Sequence, residues 1–379
     1  MKKVSIAFYS TFQRPGWKSE QLEVLVPRLK KEGIFSRGYG IKRRYQKSQE
    51  EDIKTSVIPL LIARLINKIT IFKDYYGYLA GEFFTGVIFK NKIKNDDSEI
   101  VYLKPRPLSL VKACKGRGKF IVLEFGEMHP FDTYSRVNCE NIKHGIKSRY
   151  IFTSKYAINQ AVKAIDYADL IVVLSNESKE SFVRNGVDEK KIKVVNLGLT
   201  QKYENRYSID KEFAFVSTAK HSLVKGSHNL LLAWRDANVN NMKLYMVGPI
   251  SRELNLFIEK HGPFNNVVFS GPKNVHDFYI NYNFIGVLNS LSEGYGRSVI
   301  EYMGYGFPVI TTPVATCDIV EHGREGLIVD GHQELVMALR YFSENLEQYE
   351  VMGTFSRFSA EKTLKDNYVD KMIEIFKSV

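Results

Sequence analysis

Two doubly wound α/β domains, each a parallel sheet covered by helices on both faces, are the fold this sequence predicts. Three observations carry that expectation. The chain has 379 residues, and at roughly 150 residues per domain that is two to three domains. Short apolar runs rich in β-branched and aromatic residues alternate with segments of helical spacing, the pattern of buried parallel strands and their crossover helices. The pattern lapses once, in a polar, loop-like stretch from Leu199 to Lys211 that divides the chain.

In the first half the strand candidates are Val4–Tyr9, Ile100–Leu103, Phe120–Phe125, Leu170–Leu174 and Ile192–Val195. Residues 36–98 carry no clear assignment. In the second half the runs are Phe213–Val216, Leu244–Val247, Val267–Phe269, Phe284–Leu288, Val309–Thr312 and Leu327–Val329. Helical spacing fills Leu230–Trp234, Leu254–Ile258 and Val299–Met303, and a last helix runs through Tyr368, Met372 and Phe376. Ligands of such sheets sit beyond the carboxyl ends of the strands. Two facing domains therefore place the site in the cleft between them.

Hydrophobic residues make up 44% and charged residues 25%, which excludes disorder, collagen and coiled coil. No apolar run reaches the roughly 18 residues of a membrane span; Val57–Phe72 is broken by Pro59, Arg64, Asn67 and Lys68. The start, Met1-Lys2-Lys3 before Val4–Tyr9, is too short and strand-like for a secretory signal. Cys114, Cys139 and Cys317 are odd in number and far apart, offering neither a disulfide framework nor a zinc spacing. A cytoplasmic protein is expected. The net charge of +12 is uneven: residues 1–200 hold 36 Lys+Arg against 21 Asp+Glu, and residues 201–379 hold 18 against 21. A basic first half suits an anionic membrane or a nucleic acid. Its clusters are Lys42-Arg43-Arg44, Lys90/Lys92/Lys94 and Lys112/Lys115/Arg117/Lys119.

The chemistry concentrates in Asn289-Ser-Leu-Ser-Glu293-Gly-Tyr-Gly296-Arg-Ser-Val-Ile-Glu301. A buried strand ends, a Gly-rich turn follows, and a helix begins near Gly296. Gly294 and Gly296 remove side chains where backbone amides approach a ligand, and the free amides of a helix start suit a diphosphate. Glu293 before the helix and Glu301 about five residues into it bracket that anion site, placed to accept sugar hydroxyl groups.

This string, continued by Gly306-Phe-Pro308-Val-Ile and by Cys317-Asp-Ile-Val-Glu-His-Gly-Arg-Glu-Gly326, resembles the E-x7-E signature of retaining GT-B glycosyltransferases, particularly glycosyltransferase family 4. Lys225-Gly226 before Leu230-Leu-Leu-Ala233 resembles the family's Lys-Gly helix start. The resemblance covers residues 165–335 well and the first 100 poorly. It implies a GT-B fold with an acceptor-binding domain over residues 1–200, a nucleotide-sugar domain over 201–360, and a helix over 361–379 that crosses back to the first domain.

The resemblance also implies roles. Lys225 faces the donor diphosphate, Glu301 holds the ribose, and Glu293 contacts the transferred sugar. Gly294, Tyr295, Gly296, Arg297 and Ser298 cradle the phosphates. His129, in the turn after Phe120–Phe125, contacts the transferred sugar, so His129, Glu293 and Lys225 form the catalytic set. Glu127 and Asp132 are neighbours for the acceptor. The usual paired glycines of the first strand-to-helix turn are reduced to Gly16, with Arg14 an acceptor or phosphate candidate. Ser217-Thr218 stands where many members have a Gly-Arg pair, leaving Thr218 in the donor site and Lys220, His221 or Arg297 as substitutes for the missing arginine.

No Asp-x-Asp turn follows a strand, and Asp96-Asp97 lies in a polar stretch, so no metal and no cofactor are expected. The expected reaction is retaining transfer from a nucleotide-diphosphate sugar, UDP before GDP or dTDP, to a lipid-linked saccharide or polysaccharide of the lipopolysaccharide kind. The basic half then sits on the cytoplasmic face of an anionic membrane, and Val57–Phe72 is a candidate for inserting an apolar face. Two alternatives use other chemistry: a GT-B sugar-nucleotide epimerase, and a non-enzymatic nucleic-acid-binding protein, for which the sequence shows no reading module.

Overall fold

The computed structural model describes residues 2–10, 17–42, 51–69, 73–146, 151–204, 208, 210–364 and 367–379. Arg14, Gly16, Arg43 and Arg44 therefore lie outside the described residues. The first half runs β1 (Val4–Ala7), α1 (Trp17–Lys31), β2 (Phe35–Ile41), β3 (Ile53–Ser56), α2 (Ile58–Ile69), α3 (Lys73–Lys94), β4 (Ile100–Leu103), α4 (Leu108–Lys115), β5 (Phe120–Glu124), α5 (Pro130–His144), α6 (Lys155–Ile165), β6 (Leu170–Val173), α7 (Asn176–Arg184) and β7 (Ile192–Val194). Its seven strands pair in parallel in the order β3-β2-β1-β4-β5-β6-β7.

The second half runs β8 (Phe213–Thr218), α8 (Ser227–Ala237), β9 (Leu244–Val247), α9 (Arg252–His261), β10 (Val267–Gly271), α10 (Val275–Phe278), β11 (Asn283–Leu288), α11 (Arg297–Gly304), β12 (Val309–Thr311), β13 (Gly326–Ile328), α12 (His332–Glu344), α13 (Gln348–Lys362) and α14 (Asn367–Ser378). Six strands pair in parallel as β10-β9-β8-β11-β12-β13. These are two Rossmann-like domains. Strands β4, β6, β9 and β11 are buried along their whole length, as sheets covered on both faces require. In each sheet the strand order reverses beside the first strand, between β1 and β4 and between β8 and β11. The loops after those strands form the binding crevice of a doubly wound fold.

The last helix packs on the first sheet. Tyr368, Val369, Met372, Ile373 and Phe376 of α14 join one apolar cluster with Val4, Ile6, Phe8, Leu22, Leu25 and Tyr102. Each such side chain, fully buried, contributes about 1.5–3 kcal/mol. A polar clasp fixes the docking: Glu124, fully buried, accepts hydrogen bonds from the hydroxyls of Tyr102 and Tyr368 and from Lys104 at 2.8 Å.

Three sequence expectations need correction. Residues 36–98 are mostly ordered, as most of β2, then β3 and the packed pair α2 and α3. The stretch after Leu199 is not simply polar linker: Leu199 and Tyr203 are buried, and Tyr203 stacks on Tyr305 at 4.4 Å. Asp96 is not a solvated acid. Its side chain is buried with Lys119 at 2.7 Å and takes hydrogen bonds from Ser5 and Tyr39. Lys119 is therefore part of the interior and not of a basic surface.

Candidate functional site

The second-domain wall is built where β8 and β11 end. Gly226, at φ 63°, caps α8, and a Cβ there would meet the Asn289 carbonyl oxygen at 1.7 Å. Only glycine allows that approach, which sets the loop after β8 against the loop after β11. Lys225 Nζ thereby lies 2.5 Å from Glu293 Oε2, and Ser290 Oγ donates to the same oxygen at 3.1 Å. Glu293 is nearly buried while Lys225 keeps about a quarter of its side chain exposed. The ammonium is thus anchored by the Glu293 carboxylate and remains partly exposed.

Helix α11 starts beside this pair. Its N-cap, Gly296, offers no side chain to the first turn; the Arg297 amide donates to the Tyr295 carbonyl at 2.8 Å and the Val299 amide to the Gly296 carbonyl at 2.8 Å, and the positive end of the helix dipole lies at this end of the helix. Arg297 Nη2 donates to Glu301 Oε1 at 3.3 Å, one turn on. Ser298 Oγ donates to the Thr218 carbonyl at 2.6 Å, tying the helix start to the end of β8.

The readings of five residues change. A Cβ on Gly294 would meet the carbonyl oxygen of Gly126 at 2.1 Å, and one on Gly296 that of Ala315 at 2.4 Å. Their missing side chains make room for protein backbone rather than for a ligand, and Gly294 does so across the cleft. Thr218 is turned inward: its N–H bonds to the Tyr302 hydroxyl at 2.6 Å and its Oγ1 pairs with the Tyr279 hydroxyl at 2.7 Å. His221 is fully buried against Ser227 at 3.2 Å, with its pKa pushed down to about 4 by burial, so it brings no charge to a phosphate. Tyr295 is likewise interior, its hydroxyl accepting from the Gly198 amide at 3.2 Å.

The first-domain wall is the turn after β5. Glu127 is half-buried, and burial followed by repulsion from Glu293 pushes its pKa up to about 8, against the pull of Lys225 and Lys104. His129 caps α5: Nδ1 accepts from the Phe131 amide at 3.3 Å, and the His129 amide donates to Ser181 Oγ at 2.8 Å. The ring packs on Phe182, and burial lowers its pKa to about 4. It is therefore neutral at physiological pH, and with Nδ1 accepting, the proton sits on Nε2. Asp132 turns to Arg184 at 3.0 Å and Asn185 at 2.6 Å, so it is held within its own domain.

A cavity of about 600 Å³ lies mainly in the first domain, lined by Glu127 and Met128 of the turn after β5, by Leu60, Ala63 and Tyr78 of α2 and α3, and by Lys220 of the second domain. Arg106 and Glu82 meet in it as a bidentate pair at 2.8 and 3.3 Å. The sequence reading missed Lys104, Arg106, Glu82 and Tyr78. Lys104 and Arg106 follow β4 directly, so their place at a strand's carboxyl end was a usable signal. Glu82 and Tyr78 lie on a helix that carried none. The second domain also closes on α5: Thr133 Oγ1 lies 2.7 Å from Ser292 Oγ, and Arg136 donates to the Leu291 carbonyl at 3.3 Å.

Residues 200–357 match the family model described as glycosyl transferases group 1. An uncharacterized glycosyltransferase of Haemophilus influenzae is 25% identical over 277 residues, covering 68% of this chain and 75% of that protein. Among solved structures, HepE of Anabaena in complex with UDP and glucose superposes with a TM-score of 0.67 at 16% identity over the full length of both chains. The apo lipopolysaccharide outer core galactosyltransferase WaaB does so at 0.65 and 15%, again over both full lengths. Sucrose-phosphate synthase of Thermosynechococcus elongatus gives 0.69 at 14%, covering all of this chain and 99% of the other. The structural neighbours establish the GT-B fold, and the family match supports group 1 glycosyltransferase activity.

Proposed function

We propose that this chain is a group 1 glycosyltransferase that transfers a hexose from a nucleotide-diphosphate sugar, UDP favoured, to a hydroxyl of a lipid-linked saccharide, with retention of configuration and without a metal. The observation that carries the reading is the Lys225–Glu293 pair beside the start of α11, with Glu127 facing it across the cleft. Lys225 and the positive end of α11 take the diphosphate; Arg297 is the nearby cation that makes up for the absent Gly-Arg pair. Glu301 takes the ribose hydroxyls, and Glu293 the hydroxyls of the transferred sugar. UDP stands first because HepE binds UDP and UDP-glucose in solved complexes.

The chemistry follows from those placements. The acceptor oxygen attacks the anomeric carbon on the face from which the diphosphate departs, and the carbon–oxygen bond to the phosphate breaks. The acceptor proton passes to the leaving phosphate oxygen. Lys225 and the positive end of the α11 dipole stabilise the charge that develops there. His129, neutral, donates its Nε2–H to a hydroxyl of the transferred sugar. Glu127, held protonated below pH 8, donates to the acceptor or sugar instead of repelling Glu293.

The cavity and the surface beyond it support a lipid-linked acceptor. Helix α2 turns Ile58, Leu61, Leu65 and Ile69 outward in one stripe, flanked by exposed Arg64 and Lys68, and α3 exposes Phe83 and Val87. Lys90, Lys94, Lys112 and Arg117 line a shallow basic depression on α3 and α4. An apolar stripe edged by cations suits the interface of an anionic leaflet, and α2 lines the cavity with its inner face. The outer-core galactosyltransferase WaaB, a structural neighbour, acts on such an acceptor by name. Thermal unfolding against UDP, GDP, dTDP, CDP and ADP, with and without Mg²⁺, tests the donor reading, since a ligand of the folded state raises the melting temperature. A UDP shift in wild type that is lost in Glu301→Ala supports it, and no shift from any nucleotide overturns it. Anomeric NMR of the first product tests retention.

A further inference from the structure

Helix α5 carries a second constellation, about one to three turns beyond the residues that touch the loop after β11. Glu140 and His144 are four residues apart and share one face of α5. His228, the second residue of α8, meets them from the other domain. Glu140 Oε2 lies 2.7 Å from His228 Nε2 and 3.3 Å from His144 Nε2, and the three ligand atoms all lie within 4.8 Å of one another. The His228 side chain is fully buried and that of His144 is 8% exposed.

The hydrogen-bonding capacity here is poorly used. His144 Nε2 is buried beside the carboxylate yet forms no hydrogen bond. Buried polar atoms are nearly always satisfied, so an unpaired ring nitrogen facing a carboxylate and a second imidazole calls for an explanation. The rings are also held rigidly. Phe257 of α9 packs edge-on against both His144 and His228, at 5.1 and 5.6 Å between centroids.

From this geometry we infer a divalent transition-metal site formed by Glu140, His144 and His228 at the junction of the two domains. Two imidazoles and one carboxylate form a borderline donor set that suits Zn²⁺ before Mg²⁺ or Ca²⁺. Zinc bonds to such atoms run about 2.0–2.2 Å, so ligand atoms need to stand about 3.3 Å apart around a tetrahedral ion. The 3.3 Å spacing already fits, and the 2.7 Å contact opens by about half an ångström once the ion displaces the proton between His228 and Glu140. A water completes the shell on the side where Glu140 is partly exposed. Lys143, 3.6 Å from Glu140 Oε1, is the competing cation. The bound ion cross-links α5 of the first domain to α8 of the second and so holds the cleft closed. It is separate from the sugar-transfer chemistry, and the inference stands whatever the donor proves to be.

The test uses full-length protein purified without a histidine tag and stripped by a chelator. Co²⁺ is titrated first, followed by its visible absorption, and Zn²⁺ is then competed against a chromophoric chelator. The expected result is one Co²⁺ per chain with a ligand-field band, displaced by one Zn²⁺, and a higher melting temperature with Zn²⁺. Glu140→Gln and His144→Ala each lower Zn²⁺ affinity about tenfold or more, while UDP still shifts their melting temperatures. Cys139→Ser, which removes the exposed thiol on the same helix, leaves the affinity unchanged. Absence of stoichiometric Co²⁺ binding to the wild type overturns the inference. So does binding that survives both ligand substitutions or disappears with Cys139.

Discussion

Lys225 Nζ and Glu293 Oε2 stand 2.5 Å apart, joining the loop after β8 to the loop after β11. In the proposed reaction the lysine faces the departing diphosphate and the glutamate aims it. Lys225→Ala is expected to lower kcat by about 100-fold or more, the cost of removing one donor to a developing anion. Glu293→Gln keeps the shape and loses the charge; it should weaken sugar binding while UDP still stabilises the protein. Steady-state kinetics alongside thermal shifts separate the two effects, and equal losses of UDP binding in both variants contradict the assignment.

Glu127 gives a signed pH prediction. Its folded pKa, about 8, is raised above that of an ordinary Glu. Its contribution to stability is therefore fully present below the unfolded value and is lost as pH rises through 8. Glu127→Gln, which stays neutral, should gain in melting temperature relative to wild type between pH 5 and 9. A difference that does not change with pH contradicts the shift.

Gly294 separates closure from donor binding. Its Cβ would sit 2.1 Å from the Gly126 carbonyl oxygen, so Gly294→Ala forces the two loops apart. A displacement of about 1 Å at a reacting centre costs as much as 100-fold in rate. Turnover should fall by that order while the UDP-induced thermal shift persists. Small-angle scattering in the presence of UDP should report a larger radius for the variant.

The outward stripe on α2 predicts membrane binding. Leu65→Glu with Ile69→Glu removes two apolar side chains worth about 1.5–3 kcal/mol each when buried. Flotation with anionic liposomes should be lost at low salt, and activity on a water-soluble acceptor analogue should remain, because neither residue lines the cavity. Failure of the wild type to float under any salt condition removes the membrane reading.

Tyr368→Phe tests the clasp at Glu124. Losing a hydrogen bond to a buried carboxylate should cost about 1.5–3 kcal/mol, read by urea denaturation. A change within error would mean that packing alone docks α14.

Much of this was legible in the sequence, and the illegible parts have physical reasons. Strands such as Ile100–Leu103 and Leu244–Val247 are buried on both faces, and their unbroken apolar runs announce them. β2 and β3 do not, because Phe-Ser-Arg-Gly-Tyr-Gly-Ile and Ile-Lys-Thr-Ser carry polar residues and glycine at the sheet's edge. Helix α3 packs against α2, α4 and β2 at once, which scatters its apolar residues around the axis and erases the helical period. Around the candidate site, Glu293 and Glu301 sit in one local motif and Lys225 in another, and the structure brings Lys225 to Glu293. The turning away of Thr218, Asp132 and Asp96 depends on Tyr279, Arg184 and Lys119, partners distant in sequence, and no spacing reveals them.

The docking of α14 onto the first sheet also orders events during synthesis. Tyr368 and Phe376 complete a core whose other walls, β1, β4 and β6, are made by residue 173. About 200 residues separate them, and at 5–20 residues per second the first domain waits roughly 10–40 s with Phe8 and Tyr102 uncovered. The second domain is finished before the first. A nascent chain halted short of residue 368 should therefore hold a folded second domain beside an open first domain, and that open face is where a chaperone would be needed.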